Sequence, residues 1–550
     1  MVRQENVDIA PDDSEVRERD LVEAYLQEHA LETELNQVIN QVVADRPEDP
    51  FLVLSSLLYV KATAKRGIVH VEVKEVLDGL GLPGILVRLH TGKGVFEASI
   101  PSSVLGLPDI PEVVDEFAPT IPEDKQRYGG CGYKLRAEQA QVLLIEKLVD
   151  LEPTDQAAID SILTRLEPDI GRNICLAASI AVCKAAAKYA ELPLFEYIAM
   201  LLELPLENVC IPMPQFSVVN GGKYASNKLF VQEIFVAPVS ATSFADALQL
   251  GTEFNRSLRV QLDERGVGFS NTGAFGGFAP QMQTLAETFQ TLRAAVDDTR
   301  TRIEAAGAAA LLLDPTSITP LRFEFGIDFA ASEFVELSTA GGGADPDEAT
   351  RTTFTYNTDK WVTGSSGGLQ NSDGMLLMVR SLIRELNVTS VVDPFDGGDI
   401  KAFAGLFSSE LDREEDESEA APRRMIGGDP NCRLQIVGDT LAQEHGLDTI
   451  SDERAANTIL LQLHQFTTVS RALETITDAR RLGLSIILGV TASQATSEGS
   501  FVAALAIGAG IGQVKFGGLS ASDCVERYNQ LLLASEEPNA PGFVASAYRR

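Results

Sequence analysis

From about residue 206 onward, short apolar runs rich in β-branched residues alternate with stretches of helical period, the runs falling at 230–236, 323–329, 388–392, 435–437, 458–461, 485–487 and 512–515. Such a repeat predicts parallel strands joined by crossover helices, because each helix returns the chain to the end where the next parallel strand begins. This many units in one stretch predict a closed (β/α)8-type barrel, with functional residues at the C-terminal ends of its strands. Two glycine clusters interrupt its first part. The run 216–219 stops at Gly221 and Gly222, where the backbone must take a positive φ or approach a neighbour closely. Gly273, Gly276, Gly277 and Pro280 form a second loop with no periodicity of its own, and a loop on a rigid scaffold is where a site would sit.

The segment 61–205 has a different order. Strand-like runs at 69–73, 85–89 and 96–100 precede helical stretches at 137–149, 156–166, 173–189 and 194–202. Strands first and helices afterwards predict an α+β domain capping the barrel of 206–550. Ahead of both, residues 1–19 are polar and acidic and predict a flexible tail. In the segment 20–60, Leu31, Leu35, Val38, Ile39, Val42 and Val43 form a one-sided apolar stripe on a helix that stops at Arg46 and Pro47. Pro50 then opens a second helix carrying Phe51, Leu54, Leu57 and Leu58. A hairpin this apolar cannot cover its stripe alone, so it should pair with a copy of itself or with the domain behind it.

Charge excludes several classes of partner. With a net charge of −34, the chain would be repelled by a nucleic-acid backbone or an anionic membrane. Its six cysteines carry no CxxC or short repeated spacing, so neither a zinc site nor a disulfide framework is expected, as suits a reducing compartment. No apolar h-region opens the sequence, and the apolar run that starts at Phe501 is too short to span a bilayer. The GAGIG run before residue 513 leads from helix into strand rather than strand into helix, so it is not a dinucleotide fingerprint. Polar stretches at 335–347, 364–373 and 411–424 read as interruptions of the barrel, the last being an acidic block followed by a basic pair.

Taken in order, NGG, QE with AP four residues on, GGFAP, GIDFAASEF, VVDPFD, QIVGDTL, NTILLQLHQFTT and GQVKFGGLS resemble the enolase family in sequence and spacing, over roughly residues 61–536. The resemblance implies an enolase-like (β/α)8 barrel with a capping domain, and dehydration of 2-phosphoglycerate to an enol phosphate. That reaction needs a base at carbon, an acid at the leaving hydroxyl and divalent cations for the enolate-like intermediate. By the same resemblance, Gln462 stands where the family has its base lysine and Phe275 where it has its acid glutamate. The metal carboxylates correspond to Asp328 and Asp439, while Val392 replaces the third. The phosphate-binding SHRSGE-like loop corresponds to TASQAT at 491–496, which puts Ala492 in place of a catalytic-loop residue. Tyr224 replaces a histidine and SSVLG at 102–106 replaces a mobile SGAST loop. What survives is Gln232, Glu233, Asp328, Asp439 and Lys515.

The stretch AYLQEHALETELNQVINQVVADRPEDPFLVLSSLLY is similar to the dimerisation and docking motif of the Dpy-30 and protein kinase A regulatory-subunit type. That resemblance implies a homodimer whose groove, lined by Leu31, Leu35, Val38, Ile39, Val42, Phe51 and Leu54, takes an amphipathic helix of a protein partner. Together the two resemblances imply a non-catalytic enolase-fold scaffold, cytoplasmic and associated with a ciliary or flagellar axoneme. No cofactor is required on this reading and magnesium binds weakly, with two carboxylates where three are needed. The alternatives are an active phosphopyruvate hydratase with a rebuilt site, and a small-molecule sensor that binds a less anionic ligand in the barrel mouth.

Overall fold

The computed structural model describes residues 25–26, 30–47, 49–63, 67–79, 81–101, 121–130, 132–306, 321–339, 352–362, 367–411, 434–490 and 498–543. The expected tail at 1–19, the loops at 102–106 and 491–496 with Ala492, and most of the acidic block at 411–424 lie outside the described residues.

Helices α1 (Leu31–Asp45) and α2 (Pro50–Thr63) form the N-terminal hairpin. The first ends where Arg46 turns left-handed, and the Asp49 carboxylate accepts from the N–H groups of Phe51 and Leu52 at the start of the second. The capping domain is an antiparallel sheet, β1 (Ile68–Leu77), β2 (Pro83–Thr91) and β3 (Gly94–Pro101), in that order. Four helices follow it, α3 (Lys134–Leu148), α4 (Gln156–Ile170), α5 (Arg172–Ala190) and α6 (Leu194–Leu201), of which α3 packs on β1 and α5 on β2 and β3. The alanine-rich α5 is buried nearly all round. Small side chains let it lie close against β2 and β3.

The barrel sheet runs β4 (Met213–Pro214), β15 (Gln513–Lys515), β14 (Ser485–Gly489), β13 (Thr458–Gln462), β12 (Gln435–Gly438), β11 (Ser390–Val392), β7 (Glu324–Asp328), β6 (Glu233–Ala237), β5 (Phe216–Asn220). Segments β4 and β5 are consecutive stretches of one strand. That strand meets β15 at one end, where the Gln215 N–H donates to Val514 O at 2.8 Å, and β6 at the other, which brings the sheet to closure. The structure departs from the expected all-parallel order at one strand: β6 is antiparallel to both β5 and β7. The cause is the short link from 221 to 232. It has no room for a crossover helix, so the chain must reverse. Gly222 makes the bend at φ +60, and a Cβ on Gly221 would lie 2.5 Å from Val231 O. Both glycines are therefore obligatory.

Two stretches read as polar interruptions contain strands. β8 (Val335–Thr339), β9 (Thr352–Asn357) and β10 (Leu369–Asn371) form a small antiparallel sheet in the order β10-β9-β8. Its anchor is Tyr356, fully buried, whose hydroxyl donates to Asp399 at 2.9 Å. The second half of 364–373 is β10 and the start of helix α7 (Ser372–Leu386).

The capping domain is fastened to the barrel by buried polar contacts. Asp160 on α4 accepts from the Ser470 N–H at 2.9 Å and the Ser470 hydroxyl at 2.7 Å, at the start of the helix that follows β13. Ser179 on α5 accepts from the Val469 N–H at 2.9 Å. A carboxylate at a helix N-terminus satisfies orphan N–H groups and meets the positive end of the dipole. Through these contacts the capping domain sets the position of the loop at the end of β13.

Candidate functional site in the barrel mouth

Lys515 ends β15, Asp328 ends β7, and Glu233 begins the reversed strand β6, so all three side chains arrive at one end of the barrel. The ammonium of Lys515 donates to Glu233 at 2.5 Å and to Asp328 at 2.9 Å, all three side chains being at most 6% exposed. Burial alone would lower the lysine's pKa; the Asp328 and Glu233 charges outweigh it and hold the ammonium protonated. The pKa of Glu233 is raised too, by burial, against the pull of Lys515 and of a hydrogen bond from the Ser217 side chain.

Half-buried Asp439 follows β12 at the rim of this floor. Three amides converge on its carboxylate: Gln462 Nε2 at 2.5 Å, Gln465 Nε2 at 2.8 Å and Gln443 Nε2 at 3.0 Å. Among the described residues no Lys, Arg or His forms an ion pair with it. Beneath it the buried carboxylate of Asp393 accepts from the N–H groups of Asp439 at 2.8 Å and Thr440 at 2.9 Å, and from the Thr440 hydroxyl at 2.7 Å. Burial first, and then the Asp439 charge, raises the pKa of Asp393; burial and the Asp328 charge raise that of Asp439. Asp393 and Ala330, at the ends of β11 and β7, take left-handed backbone at φ 40 and 46. Strain of this kind in non-glycine residues clusters at functional sites.

Val392 ends β11 directly between Asp328 and Val437 in register. Its side chain belongs to a buried apolar layer with Phe235, Val437, Leu460 and Ile487. Gly326 faces Phe235 across the strands, and a Cβ there would lie 2.1 Å from the ring. Phe275 lies in the glycine loop, its ring 5.7 Å from the Lys515 ammonium, with the Phe235 ring at 5.8 Å. The loop is fixed by close approach: a Cβ at Gly273 would meet Asn220 at 2.4 Å, and the Gly277 N–H donates to Asn220 Oδ1 at 3.0 Å. Gln232 adjoins the floor through its backbone, its N–H donating to Asp328 O at 2.9 Å.

Magnesium needs hard oxygen ligands near octahedral geometry. Here Asp328 is ion-paired to Lys515, Asp439 is held by three amides, and Val392, which the resemblance to enolases sets at the third position, is an apolar side chain inside the core. Among the described residues no group of three His, Cys, Asp or Glu side chains is placed to hold a metal ion.

Comparison with known proteins agrees with the layout of barrel and cap. Residues 208–545 match the family described as enolase, C-terminal TIM barrel domain, and residues 68–198 match the enolase N-terminal domain. The chain belongs to the enolase family. It is 28% identical over 526 residues to cytosolic enolase 3 of Arabidopsis thaliana, covering 94% of this chain and 96% of that protein. It is 30% identical over 485 residues to an enolase of Mastigamoeba balamuthi, covering 86% and 97%, and 29% identical over 491 residues to an enolase of Eimeria tenella, covering 86% and 96%. The antiparallel second strand therefore belongs to an enolase barrel.

Of the positions singled out by resemblance to enolases, the structure gathers Glu233, Asp328, Asp439, Lys515, Gln462, Phe275 and Val392 around one barrel mouth. Sequence reasoning missed Gln443, Gln465 and Asp393. The spacing of Gln462 and Gln465 in LQLHQ was available as a signal, since the short turn Leu463–Gln465 turns both amides to Asp439. Nothing in sequence pointed to Gln443, which lies one helical turn beyond Asp439.

The N-terminal hairpin divides the residues expected to share one stripe. Val38 and Val42 are buried, whereas Leu31, Leu35, Ile39 and Val43 are 38%, 37%, 46% and 65% exposed. On the second helix Phe51 and Leu52 are 79% and 64% exposed, with Leu54 half-buried. Among the described residues, no helix is long and apolar enough to cross a membrane.

Proposed function

We propose that this enolase-fold chain is a non-catalytic scaffold that docks protein partners through its N-terminal hairpin. The observation that carries the reading is the amide of Gln462 held on Asp439 at 2.5 Å, at the place where the resemblance to enolases expects a base lysine. An amide does not take a proton from carbon at neutral pH, and the phenyl ring of Phe275 cannot give one to a leaving hydroxyl. Val392 within an apolar layer supports the same reading, because a metal ligand there would need a carboxylate. The alternative of a working phosphopyruvate hydratase, which family membership favours, would require a base and an acid from other residues.

On this reading, magnesium finds no tight site. Isothermal titration with magnesium is expected to give no binding tighter than millimolar, because Lys515 already neutralises Asp328. A tight site abolished by Asp328→Ala would contradict it.

The hairpin supports the docking half of the proposal. Full burial of a Leu, Ile or Phe side chain stabilises by about 1.5–3 kcal/mol, and α1 and α2 leave several such side chains in water. A second copy is the occupant that covers one face, and an amphipathic helix of a partner lies in the groove between copies. The hairpin's similarity to docking motifs is what supports an assembly at a ciliary or flagellar axoneme. In hydrogen exchange on the full chain, α1 and α2 are expected to be protected in a concentration-dependent way. Leu35→Asp removes that protection and leaves the barrel unchanged. Slow exchange in the hairpin that ignores both concentration and Leu35 would refute the docking reading.

A further inference from the structure

We propose that two copies of the chain pair through α1 packed antiparallel on α1, with Ile39 facing its own copy on a two-fold axis. The inference deepens the docking reading above and rests on it. It starts from what α1 leaves uncovered. At about 100° per residue, Leu35, Ile39 and Val43 lie within about 80° of one another, on a strip turned aside from the buried Val38 and Val42. The three are 37%, 46% and 65% exposed. Glu32 falls on the same strip in the first turn of the helix, and Arg46 follows its last residue; both are exposed. Among the described residues neither of them forms an ion pair within its own chain.

Spacing makes this strip self-complementary. Leu35 and Val43 are each four residues from Ile39, and Glu32 and Arg46 are each seven. A two-fold axis through Ile39 therefore sets Leu35 of one copy beside Val43 of the other, and Glu32 of one beside Arg46 of the other. By symmetry each pair is made twice. Arg46 is the only Lys or Arg between residues 20 and 60, so it is the one cation that this segment offers to an acid of its copy. A parallel pair would set Glu32 against Glu32 and Arg46 against Arg46. With a net charge of −34 on each chain, association is already opposed at long range, and a contact that stacked like charges would add to that. The antiparallel pair removes both repulsions and covers the apolar strip. Helices crossing at about 20° with axes about 8–10 Å apart keep the whole strip in contact.

Disulfide trapping on the full-length chain reads the register, since two cysteines bridge only when their Cα atoms come within about 7 Å. The probes are Ile39→Cys, Leu35→Cys and Val43→Cys, each oxidised with diamide beside the parent chain, with linked peptides identified by mass spectrometry. Ile39→Cys is expected to link to its own copy. Leu35→Cys and Val43→Cys are each expected to stay unlinked alone, because an antiparallel pair holds like positions about 12 Å apart along the axis, and to link to each other when co-expressed. Charge reversal supplies a second readout. For Glu32→Arg, the concentration at which α1 becomes protected from hydrogen exchange should rise about tenfold, and adding Arg46→Glu should bring it back. A link from Leu35→Cys to its own copy, no link at Ile39→Cys in folded protein, or a double charge variant no better than the single would overturn the register. If protection of the hairpin also ignores concentration in the parent chain, the docking reading falls as well, so the two failures are distinguishable.

Discussion

Lys515→Met is expected to destabilise the barrel by about 3–5 kcal/mol, because it leaves two buried carboxylates with no cation. Glu233 and Asp328 are 1% and 5% exposed, so neither can turn to water. The substitution keeps an unbranched side chain only one atom shorter, which largely separates loss of charge from loss of packing. Adding Glu233→Gln and Asp328→Asn to Lys515→Met should recover much of the loss, since the amides carry no charge to desolvate. The check is urea denaturation followed by a barrel probe at neutral pH. A single variant within 1 kcal/mol of the parent would mean that the triad is not the buried network described here. Such non-additivity is what a coupled charge cluster must show.

The same triad shows how far sequence could reach. The apolar runs that predict strands at 435–437, 458–461 and 485–487 became β12, β13 and β14 with their ends moved by two residues or fewer. Parallel strands buried on both faces read as continuous apolar runs, and that signal is strong. The reversal of β6 was not legible, because side-chain alternation is the same in either direction along a strand. The short link after Gly221 and Gly222 held the clue. The strands β8 and β9 were hidden by surrounding Gly, Asp and Thr residues. Their pairing is non-local, and their anchor is one buried tyrosine whose partner Asp399 lies 43 residues away.

For the site, resemblance to enolases located individual positions but not their partners. Gln462 reads as a missing base in sequence; in the structure it is also one of three amides holding Asp439. That contact spans 23 residues and depends on the register of β12 with β13, which no local pattern specifies. The apolar stripe of the hairpin was legible as amphipathic. Which of its residues would face the second helix was not: the helix turns Val38 and Val42 inward and leaves Leu35 and Ile39 in water. Positions three and four apart share a face only approximately, and the crossing with the second helix decides the division.

The largest expected effect concerns turnover. One lost acid or base costs on the order of 10²–10⁴ in rate, and the resemblance to enolases puts Gln462 and Phe275 at the base and acid positions and Val392 at a metal-ligand position. Losses within one catalytic unit are not additive, so the total is less than the product, yet it still brings turnover to background. Restoring Gln462→Lys alone is not expected to rescue the reaction. It would supply an ammonium beside Asp439 but neither the acid nor the third metal ligand. The most direct measurement is the conversion of 2-phosphoglycerate to the enol phosphate by purified full-length protein with magnesium, followed by absorbance of the product. The expected rate is indistinguishable from that of a no-protein control, before and after Gln462→Lys. A rate within about a hundredfold of an ordinary enolase, abolished by Asp439→Ala, would contradict it.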